Sequence, residues 1–415
     1  MYLRLGGISM KSWLRTTLYF LAVIVITAAI TVGITVTAMN RSREDAVVMS
    51  VEEYQRLKGV LVFQEIMEKI GTQALHATVD DDTLVEYGAR GMLSALNDQY
   101  AEYYTPAEYE AYLSRINGQY NGIGILVGQP GELGAEVLDA YEGNPAALAG
   151  VQAGDIITAV DGQSMANAQL DELVAAVDVE IGQTVTLSIL RGEQTLEIPV
   201  TSAAINIKRV SYALFNERTG YIRIDMFTGN CVDEFEEALK SLTERGMKSL
   251  VIDLRNNPGG SLDDVVKIAD MILGNCTIVS LKGNDASDET VYRSNGQALK
   301  VPLAVLVNEN SASASEILAG AVQDNEAGVI VGMKTFGKGI VQTTMPLESN
   351  GSWLKLTTEE YFTPSGTNIH GVGITPDIIV DLSANLKELP IKDIPQEDDV
   401  QLWGALDYVR GQANQ

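Results

Sequence analysis

The chain has 415 residues, with 55 acidic against 29 basic side chains and a formal net charge of −26 at pH 7. Such an acidic protein is poorly suited to bind nucleic acid or anionic lipid headgroups, because contacts with phosphate need lysine and arginine. A hydrophobic content of 46% excludes a disordered composition, and the length allows two or three domains with a sizeable core.

The first element along the chain is residues 16–40, which carry no charged side chain. This segment exceeds the roughly 20 residues that an apolar helix needs to cross a bilayer. The tail before this segment, residues 1–15, holds three basic residues. The two basic residues after the segment, Arg41 and Arg43, are next to the acidic residues Glu44 and Asp45, which reduce the local positive charge. The positive-inside rule therefore predicts a single-pass protein of the cell membrane, with a cytoplasmic tail and the bulk of the chain outside. A cleaved signal peptide, processed near 36–38, stays open as the alternative.

Residues 47–118 are predicted to form a helical region. Val60, Phe63, Met67 and Ile70 recur at three- and four-residue spacing, as on one face of a helix. Such a face serves as core or docks a partner, so the sequence leaves a homo-oligomer open.

Residues 119–203 are predicted to form a self-contained module of short strands with two helices. The apolar period shifts to two after residue 118 and turn residues multiply. The segments 184–190 and 194–200 read as a hairpin around Arg191, Gly192 and Glu193.

Four spaced motifs make this module resemble a PDZ domain: Asn144-Pro145-Ala146, Ala149-Gly150-Val151, Gly154-Asp155-Ile156-Ile157 and Val160-Asp161-Gly162. The resemblance implies that the module binds protein or peptide substrates by their C-terminal tails, adding the tail as a strand at a sheet edge. The peptide-binding residues it implies are Gly122, Ile123, Gly124 and Ile125. A simple tight turn at these glycines, with no peptide bound, is the alternative.

Residues 206–385 read as an α/β core, and 386–415 as a C-terminal tail with a short helix. Apolar strands are predicted at 220–224, 249–254, 301–307 and 329–331, with helices at 231–245, 262–273 and 313–324 between them. An alternating strand follows at 353–361, residues 386–399 read as a loop, and the terminal helix is predicted at 402–409.

A serine and a lysine are the candidate catalytic pair. Ser311, Ser313 and Ser315 alternate in a small-residue segment that leads into helix 313–324, and from the sequence alone any of the three fits a nucleophile. A serine nucleophile needs a base. The two histidines, His76 and His370, lie far away in sequence, so the local candidate is an amine, that of Lys338.

The segment Asp253–Gly260 follows a buried strand and precedes a helix, and it holds the turn Pro258-Gly259-Gly260. Its bare N–H groups are predicted to build half of an oxyanion hole. The second donor is expected to be the N–H of Ala314, at the positive end of the helix. A phosphate-binding loop is the other reading, although the G-x-G-x-x-G spacing is missing.

Together these segments, with Gln342 and the stretch from Tyr361 through His370 to Asp377, resemble the carboxyl-terminal processing peptidases. The resemblance implies a multidomain α+β protein with an N-terminal transmembrane helix, a helical segment, a PDZ domain and a crotonase-like α/β serine protease core. By motif position, Ser313 matches the nucleophile, Lys338 the base, Gln342 its orienting residue, and Gly259 and Ala314 the oxyanion donors. No metal or organic cofactor is implied.

Two expectations surround this pair. Glu316, one turn beyond Ser313, is expected to hydrogen-bond the lysine or else to complement the helix dipole as a first-turn carboxylate. Lysine acts as a base only when neutral, so its pKa must be lowered, and burial among Phe336, Ile340 and Val341 is expected to do this.

Cys231 and Cys276 are predicted to be free thiols at opposite ends of parallel elements, and no Cys/His cluster has the spacing of a metal site. Two other function classes stay open. One is a non-catalytic PDZ-containing binding protein, and the other is an acyl-CoA enzyme of the crotonase type.

Overall fold

A computed structural model describes residues 10–44, 50–75, 79–116, 119–216, 218–285 and 289–413. Residues 1–9 of the predicted cytoplasmic tail, and His76, lie outside the described residues. The chain forms two compact units, residues 1–87 and 88–415.

The first unit is helical. It contains α1 (Met10–Glu44), α2 (Val51–Gln73) and the start of α3 (Asp81–Ser94). Among the described residues, α1 is the one helix long and apolar enough to cross a membrane, over Arg15–Thr37. A capping box starts α2, in which the Glu53 N–H donates to Ser50 Oγ at 3.1 Å and the Ser50 N–H donates to Glu53 Oε2 at 2.7 Å. The predicted apolar stripe of α2 is exposed, as at Val60 and Phe63.

The second unit begins with a short entry segment and the predicted module. The entry elements are β1 (Glu102–Tyr104), α4 (Pro106–Ile116) and β2 (Gln119–Gly122). The module contains β3 (Ile125–Val127), β4 (Ala135–Ala140), α5 (Pro145–Ala149), β5 (Ile156–Val160), β6 (Gln163–Ser164), α6 (Leu170–Val177), β7 (Thr184–Arg191) and β8 (Gln194–Thr201), and β9 (Ala203–Asn206) follows it. Because β2 pairs antiparallel with β9, the chain enters and leaves the module at adjacent points, as an inserted domain does.

The module folds as its turn residues predict. Its sheet has the order β3-β4-β5-β7-β8, so β3 is an edge strand. Gly150 ends α5 with φ of 96°, and Asp161 and Gly162 make the tight turn between β5 and β6 with φ of 48° and 81°. Such left-handed conformations favour glycine or aspartate over bulkier residues, which is why these motifs are readable in the sequence.

The α/β core completes the second unit. Its elements are β10 (Val210–Phe215), β11 (Thr219–Ile224), α7 (Cys231–Glu244), β12 (Ser249–Asp253), α8 (Leu262–Ile272), β13 (Cys276–Lys282), β14 (Glu289–Ser294), β15 (Leu303–Val307), α9 (Ala314–Asp324), β16 (Val329–Gly332), β17 (Ile340–Pro346), β18 (Trp353–Phe362), β19 (Ile378–Ile379), α10 (Ala384–Lys387), a 3-10 turn (Ile391–Asp393) and α11 (Val400–Ala413).

The central sheet has the order β10-β11-β12-β15-β16-β19 and is parallel from β11 onward. Its strands are buried on both faces. Ile252 and Val305 pack with α7, α8 and α9, whereas Val251 and Ala304 pack with α11 on the other face. Continuous apolar strands are typical of a parallel sheet covered by helices on both sides, and the predicted multidomain α+β architecture is confirmed.

A second sheet is antiparallel and was only partly predicted. It has the order β1-β18-β13-β14, with β17 on β18. The predicted helical region 47–118 contains one strand, β1, in which Glu102 pairs with Lys355 and Tyr104 with Trp353. Three residues carry too little local pattern to predict a strand. Its partner lies some 250 residues away in the sequence, so only the tertiary fold specifies β1.

The C-terminal segment is more ordered than the predicted loop at 386–399, because α10 and the 3-10 turn lie in it. A buried ion network ties it to the core. Arg255, 1% exposed, donates to the carboxylates of Asp253 and Asp399, with nearest contacts of 2.6 and 2.8 Å. Burial by itself would raise the pKa of Asp253, but the charges of Arg255 and Arg223, together with the hydrogen bonds from Arg255, hold that pKa below its usual value. The network thereby anchors the turn that follows β12.

Candidate active site

The predicted catalytic residues meet at one cavity of about 370 Å³. Ser313, Lys338 and Gln342 all line it. Ser313 follows β15 and Lys338 follows β16, while the turn 254–261 follows β12, so three neighbouring parallel strands deliver their loops to the same edge of the sheet. Ligands of open α/β sheets bind at this edge, outside the carboxyl ends of the strands.

The structure distinguishes the three serines that the sequence leaves equivalent. Ser311 and Ser315 are fully buried, and each hydroxyl donates to a main-chain carbonyl, that of Leu254 at 2.8 Å and that of Asn257 at 2.9 Å. Ser313 is half-buried and lines the cavity. Ser311 and Ser315 therefore hold the serine segment against the turn after β12, and of the three serines only Ser313 lines the cavity.

Ser313 has an unusual backbone conformation, with φ of 53° and ψ of −113°. Non-glycine residues rarely adopt positive φ, and such strain is concentrated at functional sites. Here it occurs at the residue before the first turn of α9, on a sharp strand-to-helix connection like those that expose a nucleophile.

Gly259 permits the close approach of the two loops. A Cβ atom at this position would lie 2.9 Å from Ser313 Cβ and 3.0 Å from the Ala314 nitrogen. Its N–H, predicted as an oxyanion donor, instead donates to Asn257 Oδ1 at 2.9 Å, so the prediction needs correction in this conformation. The N–H groups of Gly260 and Ala314, both at the cavity, have no acceptor among the described residues. Both are therefore available as donors at the cavity wall.

Lys338 is half-buried at the cavity, and its pKa is lowered from the usual lysine value. Burial is the main cause, the positive charge of Lys355 adds to it, and the negative charge of Asp98 opposes it. Lys338 Nζ also lies 4.4 Å from the centre of the Tyr100 ring. The prediction that Phe336 helps to bury Lys338 is wrong, because the Phe336 side chain is 57% exposed.

Glycines flank the lysine because another loop crosses there. A Cβ on Gly339 would lie 2.5 Å from the His370 nitrogen, and one on Gly337 would lie 3.0 Å from the Gly373 nitrogen. The Gly371 N–H also donates to the Gly337 carbonyl at 2.8 Å. The segment from His370 to Gly373 therefore supports the lysine loop, and the exposed His370 side chain is no part of the cavity wall.

Glu316 connects the serine and lysine loops. Its fully buried carboxylate accepts from the N–H groups of Ser313 at 2.9 Å, Gly337 at 2.7 Å and Lys338 at 2.8 Å, and from the Thr335 hydroxyl at 2.6 Å. Glu316 thus hydrogen-bonds the lysine, as expected, but through the main-chain N–H of Lys338. The carboxylate also lies in the first turn of α9, as the helix-dipole alternative requires.

Gln342 lies on β17, next to an irregularity in its pairing with β18. Its side-chain amide donates from Nε2 to Thr357 Oγ1 at 3.2 Å, which fixes the amide along the cavity wall. The fixed amide leaves Oε1 as the acceptor that can face the cavity.

The predicted peptide-binding residues Gly122, Ile123, Gly124 and Ile125 line a second cavity, of about 510 Å³. It runs between the edge strand β3 and helix α6. The N–H groups of Ile123 and Gly124 have no acceptor within the described part of the chain. Ile123 itself is 2% exposed and belongs to the core of the module, so mainly its backbone is available.

Helix α4 forms part of both cavities. Tyr112 and Ile116 line the cavity of Ser313, and Ala111 and Ser114 line the groove beside α6. Tyr112 stacks on Tyr104, with ring centres 4.9 Å apart.

Asp98, Tyr100 and Lys355 also lie around Lys338, and sequence reasoning did not find them. Lys355 lines the cavity and pairs with Glu102 at 2.5 Å. No local signal marks these residues, because Asp98 and Tyr100 are distant in sequence from both loops, and Lys355 lies on β18, beyond the lysine loop and β17. Both cysteines are free, as predicted, and among the described residues no group of three or more His, Cys, Asp or Glu could hold a metal.

Comparisons with known proteins bear on both cavities. Residues 218–380 match the model of peptidase family S41, and residues 136–191 that of the PDZ domain. The chain is 35% identical over 406 residues to the "Probable CtpA-like serine protease" of Staphylococcus haemolyticus, covering 97% of this chain and 79% of that protein.

It is 37% identical over 338 residues to the "Carboxy-terminal-processing protease" of Bartonella bacilliformis, covering 79% of this chain and 76% of that protein. A solved structure from Bacteroides fragilis, described as an S41 protease, matches with a TM-score of 0.54 at 17% identity. The match covers 82% of this chain and 92% of that one. At that identity the match shows the fold alone.

Proposed function

The chain belongs to peptidase family S41, the family of the carboxy-terminal-processing serine proteases, and from this premise we propose that it cleaves proteins at or near their C-termini with Ser313 as nucleophile and Lys338 as base. One observation carries the proposal. The serine in a strained, positive-φ conformation lines the same cavity as a lysine whose pKa is lowered by burial. The retained pair also argues against a non-catalytic binding protein and an acyl-CoA enzyme.

The proposed reaction follows from these groups. Neutral Lys338 takes the Ser313 hydroxyl proton as Oγ attacks the scissile carbonyl, and the resulting ammonium gives that proton to the leaving amine. Water then attacks the acyl-enzyme, Lys338 takes its proton and returns it to Ser313 Oγ, and the new carboxyl end leaves. The N–H groups of Ala314 and Gly260 would stabilise the oxyanion, with Gly259 admitting Ser313 to the turn.

Gln342 is proposed to orient the base. Its Nε2 is already bonded to Thr357 Oγ1, which leaves Oε1 to accept a hydrogen bond from the Lys338 amine. Such a bond would direct the nitrogen lone pair toward Ser313. No cofactor takes part in this scheme.

Substrate tails are proposed to bind in the groove between β3 and α6. An extended tail would add a strand to the β3 edge, and its terminal carboxylate would accept from the N–H groups of Ile123 and Gly124. An apolar last side chain would fit beside Ile125 and Leu173 in the groove. Helix α4 would then border both the bound tail and the cavity of Ser313.

Tail selection is tested with one peptide made twice, with a free C-terminal carboxylate and with a C-terminal amide. We expect the amide to bind about tenfold more weakly or worse, because it loses a charge-assisted contact of about 1.5–3 kcal/mol. The measurement is the apparent affinity for each peptide, taken from the dependence of the cleavage rate on peptide concentration. Equal cleavage of both would refute tail selection, and cleavage of neither would refute the proposed activity.

A matched pair of variants on α6 sharpens this test. Val174 is 48% exposed and lines the groove, whereas the exposed Ala175 does not line it. Val174→Arg should remove the difference between the two peptides, and Ala175→Arg should preserve it.

The pH dependence of cleavage is expected to move with the charges near Lys338. Activity rises as the pH passes the Lys338 pKa, because only the neutral amine is a base. Lys355→Met removes a positive charge, so the pKa rises and the acid limb moves to higher pH. Asp98→Asn removes a negative charge and moves the limb to lower pH. Profiles of kcat/KM against pH give both shifts, and shifts of the same sign in both variants would contradict Lys338 as the base.

The N-terminal helix α1 is proposed to anchor the protein in the cell membrane, with the catalytic unit outside the cytoplasm. Protease added to intact cells should then degrade the chain. Complete protection in intact cells, with degradation after lysis, would reverse the proposed topology. The apparent size of the mature chain separates an anchor from a cleaved signal peptide.

A further inference from the structure

Thr228 is a buried threonine at the cavity that the proposed reaction does not use. It is 4% exposed, lines the same cavity as Ser313 and lies four residues after the end of β11. Its Oγ1 is closed off from solvent and has no hydrogen-bond partner in the part of the chain that the structure describes. A buried hydroxyl without a partner is rare in folded proteins and destabilises them, so it calls for a reason.

The backbone holds Thr228 firmly beside the turn after β12. The Phe227 N–H donates to the Gly259 carbonyl at 2.9 Å, and the Ser261 N–H donates to the Phe227 carbonyl at 2.7 Å. A Cβ on Gly260 would lie 2.2 Å from the Phe227 carbonyl oxygen, which shows how closely the two segments pack. With Thr228, four adjacent parallel strands, β11, β12, β15 and β16, contribute residues to one cavity.

Rotation about χ1 is the movement by which the Thr228 hydroxyl would reach a group bound in the cavity. A threonine carries a hydroxyl and a methyl group on the same Cβ, so a 120° rotation about χ1 places one where the other was. Because Oγ1 has no partner in the described structure, no hydrogen bond opposes that rotation. A substrate group that offers a hydrogen bond would therefore select the rotated state.

We propose that the Thr228 hydroxyl hydrogen-bonds a main-chain amide of the bound peptide next to the scissile bond, an inference that rests on the proposed function. A peptide backbone offers an N–H and a C=O at every residue, and a hydroxyl can pair with either. Such a contact positions the peptide main chain at the scissile bond regardless of the peptide's side chains. It suits an enzyme that recognises its substrate by the tail in a separate groove.

The test compares full-length Thr228→Val and Thr228→Ser with the unsubstituted protein, using a peptide that carries a free C-terminal carboxylate. Thr228→Val keeps the shape and removes only the hydroxyl, so we expect kcat/KM to fall about three- to tenfold while Tm is unchanged or higher. Thr228→Ser keeps the hydroxyl and should stay within about twofold of the unsubstituted kcat/KM, with a lower Tm from the lost methyl group.

Thr219→Val is the matched control. Thr219 is 1% exposed, but its hydroxyl is bonded to Ser249 Oγ at 3.0 Å and it does not line the cavity. This variant should show the opposite pattern, a lower Tm with kcat/KM unchanged.

The outcomes separate the two proposals. If the unsubstituted protein cleaves the peptide and Thr228→Val cleaves it equally well, the substrate contact is refuted and the proposed function stands. A fall in Tm for Thr228→Val that matches its loss of activity would show a structural role and also refute the contact. No cleavage by the unsubstituted protein refutes the proposed function, and the inference falls with it.

Discussion

Replacing Lys338 with alanine is expected to lower kcat/KM for peptide cleavage by at least about a thousandfold, to the same residual rate as Ser313→Ala. The two residues act as a unit, since the hydroxyl is a poor nucleophile unless the amine takes its proton. The double variant should therefore be no worse than either single one. Lys338→Arg should fail too, because a guanidinium stays protonated and cannot act as a base.

Lys334 supplies the matched control for this prediction. It lies four residues upstream in the same loop, but its side chain is exposed and does not line the cavity. Lys334→Ala should keep the activity of the unsubstituted protein. Retained activity in Lys338→Ala, with a native circular dichroism spectrum, would refute the Ser-Lys pair.

Glu316→Gln is expected to have the next largest effect, because this carboxylate accepts four hydrogen bonds that join the serine loop to the lysine loop. The amide keeps one acceptor oxygen and turns an NH₂ group toward N–H donors. The free energy of unfolding should fall by about 2–4 kcal/mol, since buried hydrogen bonds to a charged group are lost. Chemical denaturation measures this change directly.

The same variant should lower kcat more than it raises KM. A displacement of about 1 Å between nucleophile and base costs roughly a hundredfold in rate, whereas the groove for the tail lies elsewhere. Glu348→Gln, at an exposed glutamate between β17 and β18, is the control and should change neither quantity. Unaltered kcat in Glu316→Gln would leave the carboxylate with only the helix-dipole role.

Features that depend on neighbouring residues were readable in the sequence. The PDZ motifs depend on glycine, proline and aspartate in tight turns, and the structure places Gly150 and Gly162 in the left-handed conformations that those turns need. The apolar strands of the parallel sheet are readable because burial on both faces requires continuous apolar residues. The motifs around Ser313 and Lys338 are short and local, so they carried the family resemblance.

Contacts between distant segments were decided by the tertiary structure alone. The sequence does not distinguish Ser311, Ser313 and Ser315, because the difference lies in which hydroxyls meet the carbonyls of Leu254 and Asn257. The oxyanion turn was predicted, but only the fold shows that Asn257 takes the Gly259 N–H.

The lysine environment is likewise non-local. Asp98 and Tyr100 reach Lys338 from a segment far upstream in the chain, and Lys355 reaches it from β18. The neighbouring Phe336 points to solvent. A pKa depends on which charges lie within a few ångströms and on burial, and both are set by packing. The sequence therefore predicts the domains, the serine segment and the lysine. Only the fold shows which groups surround them in the cavity, because residues far apart in the sequence can be close in space.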